Sequence, residues 1–125
     1  MFCSLHNHTM YSNLHLIDSI NRIPEMVDKA IEYGFNGLAI TDHEVLSGHI
    51  DALDYGDKIK KDHPDFKIIL GNEIYLIKKE EYKLPETRFW HFILLAKDLK
   101  GYMQIRELSS RAWDRMYVGK GQKRT

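Results

Sequence analysis

Cysteine occurs once in this 125-residue chain, as Cys3. That excludes an internal disulfide framework and fits a reducing compartment. Net charge is missing too. Eighteen Lys and Arg balance eighteen Asp and Glu, so there is no general electrostatic footprint for nucleic acid or an anionic membrane. No apolar run reaches the roughly 18 residues of a membrane helix, and no signal-peptide pattern is present. Together these features predict a soluble cytoplasmic protein. There is no Walker loop, no Gly-x-Ser-x-Gly elbow and no Gly-x-Gly-x-x-Gly turn. Internal repeats and low-complexity segments are also lacking. Nucleophilic catalysis through Cys3 has no support beyond nearby histidines.

What the chain does have is histidine, seven in all, arriving in clusters with carboxylates. His6-Asn7-His8 follows a short, partly apolar stretch expected to be a strand at 2–6. Residues i and i+2 of a strand share a face, so the two imidazoles would project side by side. Thr41-Asp42-His43 follows a second apolar run, Gly71-Asn72-Glu73 a third, and His91 stands near the start of a fourth. Chemistry that falls repeatedly at strand boundaries is typical of an α/β site.

The elements between these clusters are legible. The segment 10–21 reads as a loop, with Ser12-Asn13 and Asp18-Ser19 as turn formers. A helix is expected from near Pro24, carried by Ile23, Met26, Val27, Ala30 and Ile31 and stopped at Gly34. A buried strand at 37–41 follows, giving a βαβ unit with parallel pairing. Ser47 is the expected cap of a second helix running to about 61, with Ile50, Leu53 and Ile59 inward. Gly56 weakens that helix, and His49 and His63 are expected to be solvated. Strands are expected at 66–70, continuing through 74–77, and at 89–96. A charged loop at 78–88 carrying Pro85 separates them. A third helix at 99–116 has Met103, Leu108, Ala112 and Trp113 as expected core contacts. Residues 1–116 are read as one domain and 117–125 as a flexible basic tail.

Imidazoles mixed with carboxylates suit zinc, manganese or iron rather than sulfur sites or calcium cages. His6, His8, His43, Glu73 and His91 could hold two metals if they converge, and paired metals suit phosphoester hydrolysis. A glutamate in an apolar stretch is costly to bury unless paired or metal-bound. Asp42 is read as an orienting partner behind a ligating histidine. His91 reaches the other ligands if its strand runs antiparallel. Asp18, a lone loop aspartate, is on spacing alone a solvated or capping residue.

The runs His6-Asn7-His8-Thr9, Ala39-Ile40-Thr41-Asp42-His43, Gly71-Asn72-Glu73-Ile74-Tyr75 and His91-Phe92-Ile93-Leu94-Leu95-Ala96-Lys97-Asp98 closely resemble the polymerase-and-histidinol-phosphatase (PHP) domain. Tyr11-Ser12, Leu16-Ile17-Asp18, Gly101-Tyr102 and Leu108-Ser109-Ser110-Arg111-Ala112-Trp113 resemble the N-terminal domain of bacterial or phage DNA polymerase III alpha subunits in particular. The resemblance implies an α/β fold, here the first half of a distorted (β/α)7 barrel with about four strands and three helices. It implies up to three divalent metals, zinc or manganese with iron as a further option, held by His6, His8, Asp18, His43, Glu73 and His91. It also implies phosphoesterase chemistry: a 3′–5′ exonuclease in some polymerase subunits, a structural remnant in others.

The family's later ligands, a Cys or His and then an Asp-x-His, have no counterpart after His91, where the only carboxylates are Asp98, Glu107 and Asp114. The chain is therefore expected to need the remaining part of the PHP domain as partner, to meet DNA through a parent polymerase, and to expose sheet edges that favour a homo-oligomer. Two other readings are a free-standing small-molecule phosphatase of histidinol-phosphatase type and a vestigial domain without catalysis.

Overall fold

Ile23, Val27 and Ala30 recur one helical turn apart and are buried. They define the inner face of α1 (Ile23–Glu32), with Pro24 in the first turn where its missing N–H costs nothing. Gly34 ends the helix at φ 73°. Its N–H bonds to the Ile31 carbonyl and that of Phe35 to the Ala30 carbonyl, both at 2.9 Å, which is a Schellman closure. This computed structural model describes residues 2–13, 17–78, 80 and 89–114. Leu16, most of the loop expected at 78–88 with Pro85, the helix end at 115–116 and the basic tail at 117–125 lie outside the described residues.

Among the described residues, four strands form one sheet in chain order: β1 (Cys3–Ser4), β2 (Gly37–Ile40), β3 (Lys67–Leu76) and β4 (Trp90–Leu95). β1 pairs with β2, and β2 with the first four residues of β3, all in parallel. From Gly71 onward β3 changes partner and pairs antiparallel with β4. Helices α2 (His49–Ile59) and α3 (Leu99–Asp114) complete the fold. The expected α/β arrangement of four strands in a half-barrel sheet with three helices is thus observed. Val27, Leu38, Ala39, Ile40 and Ala52 are the most enclosed apolar residues among those described. Full burial of a Val, Leu or Ile side chain contributes roughly 1.5–3 kcal/mol.

Several local expectations are corrected. β1 stops at Ser4, so His6 and His8 lie in the loop beyond it. The backbone of α2 is capped at Gly48 without a side-chain bond, and Ser47 takes no part. Ile50 and Leu53 are exposed. The inward face is His49, Ala52 and Ile59, at helical spacing, with Tyr55 also packed on the core. His49 is wholly buried rather than solvated, and its Nε2–H donates to the Gly71 carbonyl at 2.8 Å. Amphipathic geometry permits either face, and the histidine goes inward because a backbone acceptor awaits it. On α3 the enclosed residues are Ile105 and Ser109, while Met103 and Leu108 are half exposed. The expected continuation of the third strand is observed: β3 runs unbroken through Glu73 to Leu76 and so places the glutamate inside the strand.

Candidate metal centre

The His6-Asn7-His8 loop is pinned by the residue between the histidines. Asn7 Nδ2 donates to the Ala39 carbonyl at 2.9 Å and to the Ser4 carbonyl at 3.2 Å. Its backbone N–H reaches Thr41 Oγ1, and Thr41 N–H returns to the Asn7 carbonyl. These bonds extend the β1–β2 ladder past its last strand residue, which is how a loop holds two imidazoles in register. Their Nε2 atoms lie 2.9 Å apart.

Glu73 is the floor on which they meet. It is 1% exposed. His6 Nε2 is 2.7 Å and His8 Nε2 2.8 Å from its Oε2, while His91 Nδ1 contacts Oε1 and His43 Nδ1 lies 3.5 Å from the same oxygen. A parallel bridge between His43 and Glu73 brings the end of β2 alongside β3. His91 arrives from the antiparallel partner, opposite Tyr75 and diagonal to Glu73. The rim is open: the side chains of His6 and His91 are 54% and 51% exposed.

Asp18 joins from the loop. Its backbone N–H and that of Ser19 both donate to Asn13 Oδ1, closing the loop so that Asp18 Oδ2 lies 3.5 Å from His8 Nδ1 and 3.6 Å from His43 Nε2. Three overlapping triads result: His6–His8–Glu73, His8–Asp18–His43 and His43–Glu73–His91. In each, one donor atom per residue falls within 4.8 Å of the others. The structure thus brings all six expected ligands together.

The electrostatics suit cations. Burial pushes the Glu73 carboxyl up, but bonds from His6 and His91 and the charges of His43 and His8 outweigh it, leaving it below its ordinary value. Burial pushes the His43 imidazole down, partly opposed by Glu73 and Asp18. A lowered imidazole is neutral at pH 7 and free to ligate. His43 Nδ1 is buried without a hydrogen-bond partner, and two imidazole Nε2 atoms crowd one carboxylate oxygen. Such a donor set fits one or more divalent ions of the zinc, manganese or iron type.

Asp42 is buried and does not touch an imidazole. Its Oδ1 accepts from Thr9 N–H at 2.6 Å and Ser12 Oγ–H at 2.8 Å, and its Oδ2 from Thr9 Oγ1–H at 2.8 Å. Ser12 Oγ in turn lies 3.0 Å from His8 Nδ1. The Asp42 carboxylate thus meets His8 through the hydroxyl of Ser12, a residue to which the sequence assigns no site role. The signal available was a hydroxyl four residues after His8, at the end of a 3-10 turn, Met10–Ser12, capped by Thr9.

Residues 4–125 match the PHP domain. The chain belongs to the PHP domain family. It is 48% identical over 120 residues to a DNA-directed DNA polymerase of Bacillus phage SPbeta, covering 90% of this chain and 9% of that protein. It is 34% identical over 113 residues to the DNA polymerase III subunit alpha of Helicobacter pylori (strain ATCC 700392 / 26695), with the same coverage of 90% and 9%. The PHP chain thus spans about a tenth of the length of the curated relatives it matches. Its fold is similar to that of a protein described as a metal-dependent phosphoesterase from Bifidobacterium adolescentis, at TM-score 0.58 and 19% identity, covering 92% of this chain and 35% of that one. No helix among the described residues of this PHP chain is long and apolar enough to cross a membrane.

Proposed function

We propose that this chain is the metal-binding portion of the PHP domain of a DNA polymerase III alpha-type protein, and that the complete domain is a metal-dependent phosphoesterase of the 3′–5′ exonuclease kind. The observation that carries the reading is the convergence of four imidazoles and Asp18 around the wholly buried Glu73. His6, His8, Asp18, His43, Glu73 and His91 hold zinc or manganese, with iron as a further candidate. Bound divalent ions in such a cluster offset phosphoryl charge and supply hydroxide near neutral pH. The chain's own part is to gather the ions: Glu73 and His43 form a closed floor, and His6 and His91 form a rim that a phosphodiester reaches from solvent.

DNA is met through the parent polymerase, which is consistent with the balanced charge of this chain. On this reading the remaining part of the PHP domain covers the open side of β4, where Trp90, Phe92 and Leu95 are exposed.

The test is elemental analysis of the purified chain, followed by manganese and zinc titration of His6→Ala and His43→Ala. About one or more ions per chain, lost in both variants, supports the reading. No binding at micromolar metal, or unchanged stoichiometry in both variants, overturns it. The exonuclease step is tested on a 3′-labelled single strand with the full-length parent, where chelator-sensitive release of mononucleotides is expected. Hydrolysis of a sugar phosphate but not of DNA would point instead to a small-molecule phosphatase.

A further inference from the structure

Ser12 Oγ sits at a junction with three neighbours and one proton. It lies 2.8 Å from Asp42 Oδ1, 3.0 Å from His8 Nδ1 and 3.1 Å from the backbone nitrogen of His43. Ser12 is 5% exposed and Asp42 1%, so no bulk water relieves a mismatch. The His43 N–H can only donate, which takes one lone pair of the hydroxyl. The serine proton then goes either to the carboxylate or to the imidazole. A carboxylate is an acceptor and the stronger one. Thr9 already donates to both of its oxygens, through N–H and Oγ1–H. With the serine proton on Asp42, the contact with His8 is a hydrogen bond only if His8 Nδ1 carries the hydrogen.

We propose that Ser12 is a positioning residue that fixes the tautomer of His8, keeping its proton on Nδ1 and its lone pair on Nε2. The consequence is a choice between two ion positions. His8 belongs by distance to two triads: through Nε2 to His6 and Glu73, and through Nδ1 toward Asp18, 3.5 Å away. A protonated Nδ1 cannot ligate, so Ser12 commits His8 to the His6–Glu73 position and leaves the Asp18–His43 position to be completed from elsewhere. The Asp42 carboxylate faces His8 through this hydroxyl, and the 3-10 turn capped by Thr9 is what carries Ser12 back over the imidazole. The inference rests on the metal-binding reading for its purpose, but the tautomer is read in the metal-free chain, where Ser12 holds the proton on Nδ1 against the pull of Glu73 Oε2, 2.8 Å from Nε2.

The experiment is a long-range nitrogen–proton correlation spectrum of the ¹⁵N-labelled chain in chelator, in mildly alkaline buffer, with His8 assigned by loss of its signals in His8→Gln. The expected result is a protonated Nδ1 and a bare Nε2 at His8. Ser12→Ala should shift that population toward the Nε2–H form and weaken zinc or manganese binding by about 10–100-fold, the usual cost of losing an outer partner of a ligand. Ser12→Thr, which keeps the hydroxyl, should restore both readouts. A bare Nδ1 in the unsubstituted chain overturns the inference without any variant needing to fold. So does a folded Ser12→Ala chain whose tautomer and affinity are unchanged. Finding the expected tautomer in a chain that binds no metal would sustain the role of Ser12 while sinking the metal-binding reading.

Discussion

His91 reaches Glu73 from the neighbouring strand, two residues away from the position directly opposite. The register sets Tyr75 against His91 and Glu73 against Ile93, so the imidazole and the carboxylate share a face of the sheet and meet on the diagonal, Nδ1 against Oε1. This works only because β3 exchanges a parallel partner for an antiparallel one between Leu70 and Gly71. Glu73 thereby receives imidazoles from both sides, His43 from the parallel edge and His91 from the antiparallel one.

Glu73→Gln should be the most damaging single change to metal binding. It keeps shape and removes the charge against which four imidazoles are packed. Affinity is expected to fall by more than the roughly 10–100-fold typical of an outer partner, whereas His91→Ala, at the open rim, should cost less. Isothermal titration with manganese or zinc measures both. A Glu73→Gln chain that binds as well as the unsubstituted protein would remove the carboxylate from the centre.

Gly71 marks the exchange of partners, and a side chain there has nowhere to go. A Cβ would stand 2.6 Å from the Leu94 carbonyl oxygen, 2.8 Å from Leu95 Cδ2 and 2.9 Å from Thr41 Cγ2. The nearest of these is backbone, so the strands themselves must part. Gly71→Ala is expected to destabilise the fold by about 1–3 kcal/mol or more, read from the midpoint of urea unfolding. It should also lower metal affinity, since Glu73 lies two residues on.

The chemistry of the site was more legible in the sequence than its packing. Four short motifs with recognisable donor types name His6, His8, His43, Glu73 and His91, whereas Asp18, a lone loop aspartate, is named only by the resemblance. Helix faces depend on what lies opposite. On α2 the apolar Ile50 and Leu53 point outward, while His49 and Ala52 point inward. Nothing in the α2 sequence itself shows that the Gly71 carbonyl waits for an imidazole. The same limit hid Ser12, whose partners Asp42 and the His43 N–H lie some thirty residues away.

That misread face yields a contrast between adjacent positions. Leu53 is 45% exposed and Ala52 wholly buried. Leu53→Ala should change stability by no more than about 0.5 kcal/mol. Ala52→Leu forces a larger side chain into the core cluster around Val27 and Ile40 and should cost about 1–3 kcal/mol. Chemical denaturation of the two variants side by side checks the assignment. The reverse order of effects would mean that the inward face of α2 is the one expected from apolar spacing.

His49 should make the metal-free chain sensitive to mild acid. Burial pushes its imidazole below the ordinary value of 6.5, partly opposed by the Gly71 carbonyl, the charge of Asp42 and the Ile40 carbonyl. Tyr102 packs on the other side, its ring centroid 5.6 Å away. Above about pH 7 His49 is neutral folded or unfolded, and it adds no pH dependence. As pH falls through 6.5 the unfolded chain takes up a proton that the folded chain refuses, so stability is lost until the folded value is reached. One proton sets a limiting slope of about 1.4 kcal/mol per pH unit. His49→Gln removes that proton and should flatten the stability profile between pH 7 and 5, with the other histidines common to both chains. Urea unfolding in chelator at several pH values measures the difference. Parallel profiles would mean that His49 is protonated as readily in the folded chain as in the unfolded one, and that its buried position does not exclude the charged ring.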